Sequence, residues 1–276
     1  MSDPRAPYAW RSVGIVALAL LVLLLTLAGR YGYHRDELYF LAAGRHLDWG
    51  YVDQPPLTPL LSRGMSGLVG DSLAGARILP AVLAVATVLV AGLISRELGG
   101  GRAEQLLTAG ATAISAVVLI GGHWLSTTTV DLLVWAVLCW SVIRGVRTGG
   151  GPVWLWAGSV AGLGLQNKTL VLFLLAALVA GLLLAGPRKV FRDPWWWAAG
   201  GLALLIWTPN LIWQATTAGR SWSCPPRSPM GAREAVSRGG CSCRSSSCWS
   251  VPDWCRSGWR VWWCCSALPT SVPTGS

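Results

Sequence analysis

Long apolar runs separated by short polar segments make up most of the chain before residue 214. A helix needs roughly 20 apolar residues to cross a bilayer, and a helix satisfies its own backbone hydrogen bonds in lipid. We therefore expect an all-α fold, a polytopic transmembrane helical bundle. The pattern predicts about seven spans, at residues 12–29, 78–94, 106–122, 130–143, 152–166, 169–186 and 195–213.

The first apolar run could also be a secretory signal peptide, because Arg5 and Arg11 stand in a short polar segment before it. No small-residue cleavage site precedes Arg30, and further spans follow. We expect the run to be a retained first helix, with cleavage as the alternative.

The segment between the first two spans is too polar to cross a membrane. Residues 36–47 predict an amphipathic helix, with Leu38 and Leu41 on one face and Arg35 and Arg45 on another. Such a helix can lie on the membrane surface. The run Gln-Pro-Pro-Leu-Thr-Pro that follows cannot continue a helix, because proline lacks the backbone donor and restricts the residue before it. It predicts an irregular turn close to the membrane.

Composition excludes an ordinary soluble domain, since 53% of the residues are apolar and 12% are charged. The net charge of +10 does not indicate a nucleic-acid partner, because the basic residues stand in short segments between spans. If the N-terminus is cytoplasmic, the short outside loops hold a single basic residue, Lys168. The cytoplasmic segments then hold Arg5, Arg11, Arg96, Arg102, Arg144, Arg147, Arg188, Lys189 and Arg192.

Cytoplasmic loops of membrane proteins are enriched in Lys and Arg, which supports this orientation. We expect a multi-pass protein of the cell membrane, with the segment 30–77 on the extracytoplasmic side.

Composition changes abruptly near residue 219. We expect a transmembrane domain at 1–218 and a tail at 219–276, which holds seven of the eight Cys residues. One interpretation is an exported Cys-rich module with disulfides or a metal. The alternative is a frameshift: every Cys and Trp codon begins with TG, and reading one base earlier turns each into Leu, Val or Met. We favour the frameshift. In that case the tail has no fold that selection has maintained, and the chain is a truncated product.

Asp36 and Glu37 are the leading candidates for chemistry. Acidic residues favour the first turn of a helix, so a solvated helix start would explain them without any function. Their place between a span and a proline-fixed turn, with Asp53 close in sequence, favours a catalytic interpretation. A general base needs such a carboxylate, held within reach of a reacting hydroxyl.

Two further positions fall on the same predicted face. Lys168 either extends to the membrane interface or binds an anion, most simply a phosphate at headgroup depth. Asp131 either lies near a helix start that Thr129 or a neighbour caps, or is a second acidic site. The histidines match no compact metal motif, so no metal-binding residue is predicted: they are His34, His46 and His123.

The order of motifs along the chain resembles a known family. A first span is followed by HRDELYF, then by GYVDQPPLTPL, and then by a lysine between later spans. The resemblance is to the bacterial relatives of protein O-mannosyltransferases and of the lipid A aminoarabinose transferase, which are GT-C membrane glycosyltransferases. It covers roughly Trp10 to Arg220 and includes PNLIWQ at 209–214. It implies a sugar donor linked to polyprenyl phosphate and an acidic motif in the first outside loop.

Asp36 matches the family's catalytic acidic position and Glu37 its neighbour, while Asp131 matches a second acidic position. Gln54 stands where the aminoarabinose group has a lysine that contacts lipid phosphate, so this sequence departs from that pattern. Lys168 is the expected replacement. The remaining expected site residues are Arg35 and Arg45 for the phosphate and Asp53 for the second acidic site.

The resemblance implies an inverting hexosyl- or pentosyltransferase on the extracytoplasmic face, with Asp36 as general base. Expected partners are a polyprenyl-phosphate sugar, membrane lipid and a hydroxyl acceptor on protein, lipid or cell-wall glycan, and no nucleic acid. No cofactor is required, with a divalent cation as the alternative. A membrane transporter or lipid flippase, and an inactive truncated product, are the rival functions.

We predict that one base has been lost or gained in the DNA between the codons for Thr217 and Trp222, so that the tail is read in a different frame from the residues before it. Restoring the frame should turn the Cys and Trp positions of the tail apolar and continue the pattern of spans. Resequencing the gene checks this. A neighbouring reading frame that encodes no further apolar spans after Thr217 would contradict it.

Overall fold

A computed structural model of the chain describes residues 5–51, 53–70 and 72–221, without the side chains of 218–221. Every regular element in these residues is helical, which confirms the predicted all-α class. The Cys-rich tail lies outside the described residues from 222 onward. The helices are α1 (Trp10–Leu27), α2 (Arg35–Arg45), α3 (Leu57–Val69), α4 (Leu73–Ala76), α5 (Ile78–Glu97), α6 (Arg102–Ala113), α7 (Ala116–Gly121), α8 (Thr127–Thr148), α9 (Pro152–Leu165), α10 (Val171–Leu184) and α11 (Pro194–Ser221), with a 3-10 turn at Arg188–Arg192.

In the described part of the chain, three helical segments are long and apolar enough to cross a membrane: α1, the segment Leu73–Glu97, and α8. The apolar helices α9 and α10 are shorter. Large apolar side chains such as Ile15 and Leu18 are exposed on α1. Contiguous exposed apolar surface marks contact with lipid or with another protein. The fold is a helical membrane bundle.

The predicted third span is wrong, because residues 106–122 form two helices, α6 and α7. The break falls at Ser115, whose backbone is extended and whose hydroxyl donates to the Thr112 carbonyl at 2.8 Å. A serine hydroxyl can replace the backbone donor in this way and so compete with a continuous helix. The predicted fourth span, in contrast, is part of a longer helix, since α8 begins at Thr127 and ends at Thr148.

The predicted amphipathic helix is present as α2. His34 caps it: the His34 ring accepts from the Asp36 amide at 3.3 Å, and the Glu37 carboxylate accepts from the His34 amide at 2.8 Å. Such a reciprocal capping box satisfies donors that a helix start leaves unpaired. The protein-facing side of α2 carries Glu37 and Phe40, while Leu38 is exposed, so Leu38 does not contribute to the packed face.

The described residues form three hydrophobic clusters. The first joins α1, α5, α6 and α7 around residues such as Val13 and Val88, and the second joins α8, α9, α10 and α11 around residues such as Leu138 and Val171. The third is smaller and packs Trp154, Val190 and Ala199 together. Contacts between α5 and α8 link the first two clusters. At the close α9–α11 contact, a Cβ added to Gly158 would meet the Ala199 backbone, so glycine is needed there. Small residues allow this close approach between membrane helices.

Buried ionic clusters lie at both ends of α5. At its last residue, the Glu97 carboxylate accepts from Arg5 at 2.6 Å, from Arg144 at 3.0 Å and from Arg147 at 2.7 Å. These bonds join the N-terminal segment, α5 and α8. The side chains that pair with Glu97 are among the arginines for which the loop charges predict a cytoplasmic position.

At the other end of α5, Arg77 and Glu37 form a buried ion pair. Nε and Nη2 of Arg77 donate to the two Glu37 oxygens at 2.9 and 2.8 Å. Arg77 also donates to the carbonyls of Ala28 at 2.6 Å and Gly32 at 2.8 Å. The two residues are 3% and 1% exposed. This pair therefore holds the end of α1, the start of α2 and the start of α5 together.

We predict that Glu37→Gln destabilises the protein by about 3–5 kcal/mol, because it leaves the buried Arg77 charge without its counter-charge. The exposed Glu104 offers a matched control, and Glu104→Gln should change stability by about 0.5 kcal/mol or less. Denaturant unfolding in detergent micelles measures both. Equal stability of the two variants would show that the ion pair does not hold these helices together.

Candidate active site

A cavity of about 400 Å³ lies beside the first turn of α2, and we call it the polar cavity. Several predicted site residues from separate parts of the chain meet in its lining. Two come from α2, two from the proline-rich turn and one from the segment between α9 and α10. They are Arg35, Asp36, Asp53, Gln54 and Lys168.

Asp36 stands in the first turn of α2, where the helix dipole interacts favourably with a negative charge. Its side chain is 41% exposed, and Arg35 Nε lies 3.5 Å from Oδ1. The carboxylate is thus accessible from the polar cavity and is held at a fixed point on a capped helix. These are the properties that a general base requires.

Tyr39, one helical turn after Asp36, also lines the polar cavity. Its hydroxyl donates to Asp53 Oδ1 at 2.6 Å, which joins α2 to the proline-rich turn. Burial, and then the Asp53 hydrogen bond and charge, raise the pKa of Tyr39, with a smaller opposing effect from Gln54. The phenol therefore stays protonated and fixes the orientation of Asp53.

Gln54 contributes a buried amide to the same cavity. A weak hydrogen bond from the Gln54 side chain lowers the pKa of Tyr39, but Nε2 makes no hydrogen bond of good geometry among the described residues. A buried donor without a partner costs about 1–3 kcal/mol. An oxygen of a bound ligand would offset this cost.

Lys168 is positioned by its neighbour Asn167, which is fully buried. Asn167 Nδ2 donates to the Thr127 carbonyl at 2.9 Å and to Asp131 Oδ1 at 2.7 Å. Asn167 Oδ1 accepts from the Thr58 hydroxyl at 2.5 Å. This network fixes the α9–α10 segment against α3 and α8, and so fixes the backbone that carries Lys168.

A backbone hydrogen bond brings the start of α3, directly after Gln54 and its two prolines, to the same place. The predicted irregular turn is thus shorter than expected, because Leu57, Thr58 and Pro59 form the first turn of α3. The Leu57 amide donates to the Gln166 carbonyl at 2.9 Å. Gln54 and Lys168 are far apart in sequence, and this bond, together with the Thr58–Asn167 bond, explains why they line one cavity.

Three predicted site residues lie elsewhere. Glu37 is in the ion pair with Arg77, and Arg45 is exposed at the end of α2. Asp131 is buried in the first turns of α8 and contacts Asn167. Thr129 does not cap α8, contrary to one interpretation of the sequence, because Ser126 occupies the cap position and Thr129 donates to the Gly121 carbonyl.

Sequence reasoning missed four residues that shape this site. Tyr39 could have been found from its i+3 spacing to Asp36, and Asn167 from its place beside Lys168. Thr127 lines the cavity from the start of α8, and Arg77 anchors α2 from the start of α5. Both stand at span ends, but their partners are distant in sequence, so no local pattern indicates them.

Comparison with known proteins bears on the residues of this site. The family model described as dolichyl-phosphate-mannose-protein mannosyltransferase matches residues 53–213, more than half of the chain. The match includes Asp53, Gln54, Asp131 and Lys168, and it begins after α2 and Asp36. No curated protein and no solved structure matches the chain. The chain belongs to the dolichyl-phosphate-mannose-protein mannosyltransferase family, and it is a membrane glycosyltransferase of the mannosyltransferase type.

Proposed function

We propose that this chain transfers a sugar from polyprenyl phosphate to an acceptor hydroxyl at the extracytoplasmic face, with inversion at the anomeric carbon. One observation carries the proposal: an accessible carboxylate, an ammonium and a buried amide donor line the same cavity, as Asp36, Lys168 and Gln54. The family's description supports a lipid-phosphate sugar as the donor.

The donor phosphate would bind between Lys168 and Gln54. An ammonium gives a phosphate a charge-assisted hydrogen bond, and the Gln54 amide supplies the donor that lacks a partner in the protein. Arg35, whose side chain is largely exposed, adds a second cation at the edge of the cavity. The volume of about 400 Å³ lies within the usual range for small-ligand sites.

The reaction is a single displacement. The acceptor oxygen attacks the anomeric carbon opposite the phosphate, and its proton passes to the Asp36 carboxylate. The bond between the anomeric carbon and the phosphate oxygen breaks, and its electron pair goes to that oxygen. Lys168 stabilises the charge that develops on the leaving phosphate, which is the usual role of a positioned cation. Attack from the opposite face inverts the configuration.

Residues outside the polar cavity hold Asp36 and Lys168 in position. The Glu37–Arg77 ion pair fixes the first turn of α2, and with it Asp36. Asn167 and Asp131 fix the segment that carries Lys168. A misplacement of about 1 Å can cost about 100-fold in rate, so such supporting contacts matter for catalysis.

The charge needed at the phosphate can come from Lys168 and Arg35, so the proposed reaction requires no cofactor. A divalent cation is the alternative source of that charge. In the described part of the chain, no group of three or more His, Cys, Asp or Glu side chains could hold a metal ion.

A transporter or flippase would use ionisable groups along a path through the membrane. Here the buried ion pairs lie at the two ends of α5, around Arg77 and around Glu97, which are separated by about 30 Å of helix. This separation favours chemistry at one face over transport.

We predict that Asp36→Asn lowers transfer about 10²- to 10⁴-fold, the usual contribution of a general base, while expression and donor binding persist. The amide keeps the shape of the side chain but cannot take the proton. Transfer of a radiolabelled sugar measures the effect. If the chain as given shows no turnover, the assay uses a version in which the reading frame is restored after Thr217. Asp48→Asn is the control, because Asp48 is exposed and does not line the polar cavity. Native turnover by Asp36→Asn would remove Asp36 from the base role.

We also predict that Lys168→Met weakens binding of undecaprenyl phosphate about 10- to 100-fold, the loss expected for a hydrogen bond to a charged group. Binding to the full chain in lipid nanodiscs can be measured without turnover. Lys189→Met is the matched control, because Lys189 is exposed in the 3-10 turn. Equal affinity of both variants for undecaprenyl phosphate would exclude Lys168 as the phosphate contact.

A further inference from the structure

A second cavity, of about 470 Å³, meets the first turn of α2 on another side, and we call it the aromatic cavity. His34 lines the aromatic cavity, whereas Asp36, two residues later, lines the polar cavity. The lining is mainly apolar and rich in rings. The ring residues are Tyr31, Tyr33, His34, His123 and Trp124.

We propose that the aromatic cavity binds the acceptor, and that this acceptor is an uncharged sugar ring attached to an apolar chain. The inference rests on the proposed transfer reaction, which needs a second substrate next to Asp36. The polar cavity holds the cations that a phosphate needs, so the aromatic cavity is available for the other substrate.

The charge of the lining favours an uncharged ligand. Among the described lining residues, Arg77 carries the one permanent charge. Its guanidinium is already engaged by the Glu37 carboxylate and by the carbonyls of Ala28 and Gly32. An anionic ligand would therefore find no cation to pair with, and burial of an unpaired charge is costly.

The two histidines offer complementary groups for hydroxyls. His123 Nδ1 lies 2.7 Å from the Leu119 carbonyl, which can only accept, so Nδ1 carries the hydrogen and Nε2 of the neutral ring accepts. His34 Nδ1 accepts from the Asp36 amide, so Nε2 of the neutral His34 ring carries the hydrogen and donates. Each hydroxyl of a sugar ring can donate or accept a hydrogen bond, so a sugar suits this pair of groups.

The apolar lining fits the rest of such a ligand. The Tyr31 side chain is 52% exposed, so its ring can contact the C–H face of a sugar. Leu119 and Ile120 of α7 line the same cavity, and Ile120 is also exposed at the surface of the bundle. An alkyl chain extending from the sugar would pack along these two side chains towards lipid.

His34, which lines the aromatic cavity, lies close to Asp36, the proposed general base. The rings of His34 and Trp124 are stacked, with centroids 4.6 Å apart and an interplanar angle of 10°. Asp36 Oδ2 lies 4.0 Å from His34 Nδ1. In the proposed complex, the acceptor hydroxyl lies at the edge of this ring pair and gives its proton to the Asp36 carboxylate in the displacement described above.

The test is photo-cross-linking of the full chain in lipid nanodiscs, with hexyl glucoside that carries a diazirine on its alkyl chain. Mass spectrometry should find adducts within residues 31–34 or 119–124. Gly32→Leu places a side chain at the aromatic cavity and should reduce labelling by about tenfold or more. Gly29→Leu is the control and should label as the native chain does. A Cβ at either glycine meets no atom within 4 Å, so both variants are expected to fold.

Unlabelled hexyl glucoside should compete with the probe, and undecaprenyl phosphate and a threonine-containing peptide should not. Unchanged labelling of Gly32→Leu, or adducts elsewhere, would overturn the proposal. Protection by undecaprenyl phosphate would mean that the cavity holds the donor's chain, and protection by the peptide would mean a protein acceptor. The Lys168→Met measurement is independent, so a failure of the proposed donor site is distinguishable from a failure of this one.

Discussion

The buried ion pair between Glu37 and Arg77 is the interaction on which the rest of the site depends. A carboxylate and a guanidinium with almost no exposure are stable only because each satisfies the other and because Arg77 also donates to backbone carbonyls. The same Glu37 completes the cap of α2. One residue thus fixes both where α2 begins and how it is rotated, and the accessible carboxylate of Asp36 follows from that. The two adjacent acids therefore differ in role, since one supports the structure and the other is open to a ligand.

Lys168, the cation that lines the polar cavity together with Asp36, depends on a second buried network. Asn167 uses its amide and its carbonyl oxygen at once, with Asp131 and Thr58 as partners. Buried polar networks of this kind hold a single geometry when every member is satisfied. Within the site, Gln54 has the donor without a partner, which is the atom that a bound phosphate would complete. The protein thus combines a hydrogen-bonded support around Asn167 with an amide in the cavity that lacks such a bond.

Sequence patterns predicted those features that have a local cause. The apolar runs indicated the bundle, and the proline-rich run marked the segment that carries Gln54. The acidic pair before that run and the lysine between two spans singled out Asp36 and Lys168, which line the same cavity. The break at Ser115 was missed because it arises from one side-chain hydrogen bond inside an apolar run. Arg77 could not be assigned to Glu37, since the pairing joins residues 40 positions apart. Long-range pairing of this type is set by packing of whole helices, and no spacing rule within one helix reveals it.

We propose that donor phosphate, sugar and base meet in the polar cavity. An experimental structure of the protein in a lipid nanodisc with a non-transferable polyprenyl-phosphonate sugar would show where these groups lie. We expect the phosphonate at Lys168 and Gln54, with the anomeric carbon exposed towards Asp36. A head group bound away from Lys168, or an anomeric carbon that Asp36 cannot approach, would contradict it.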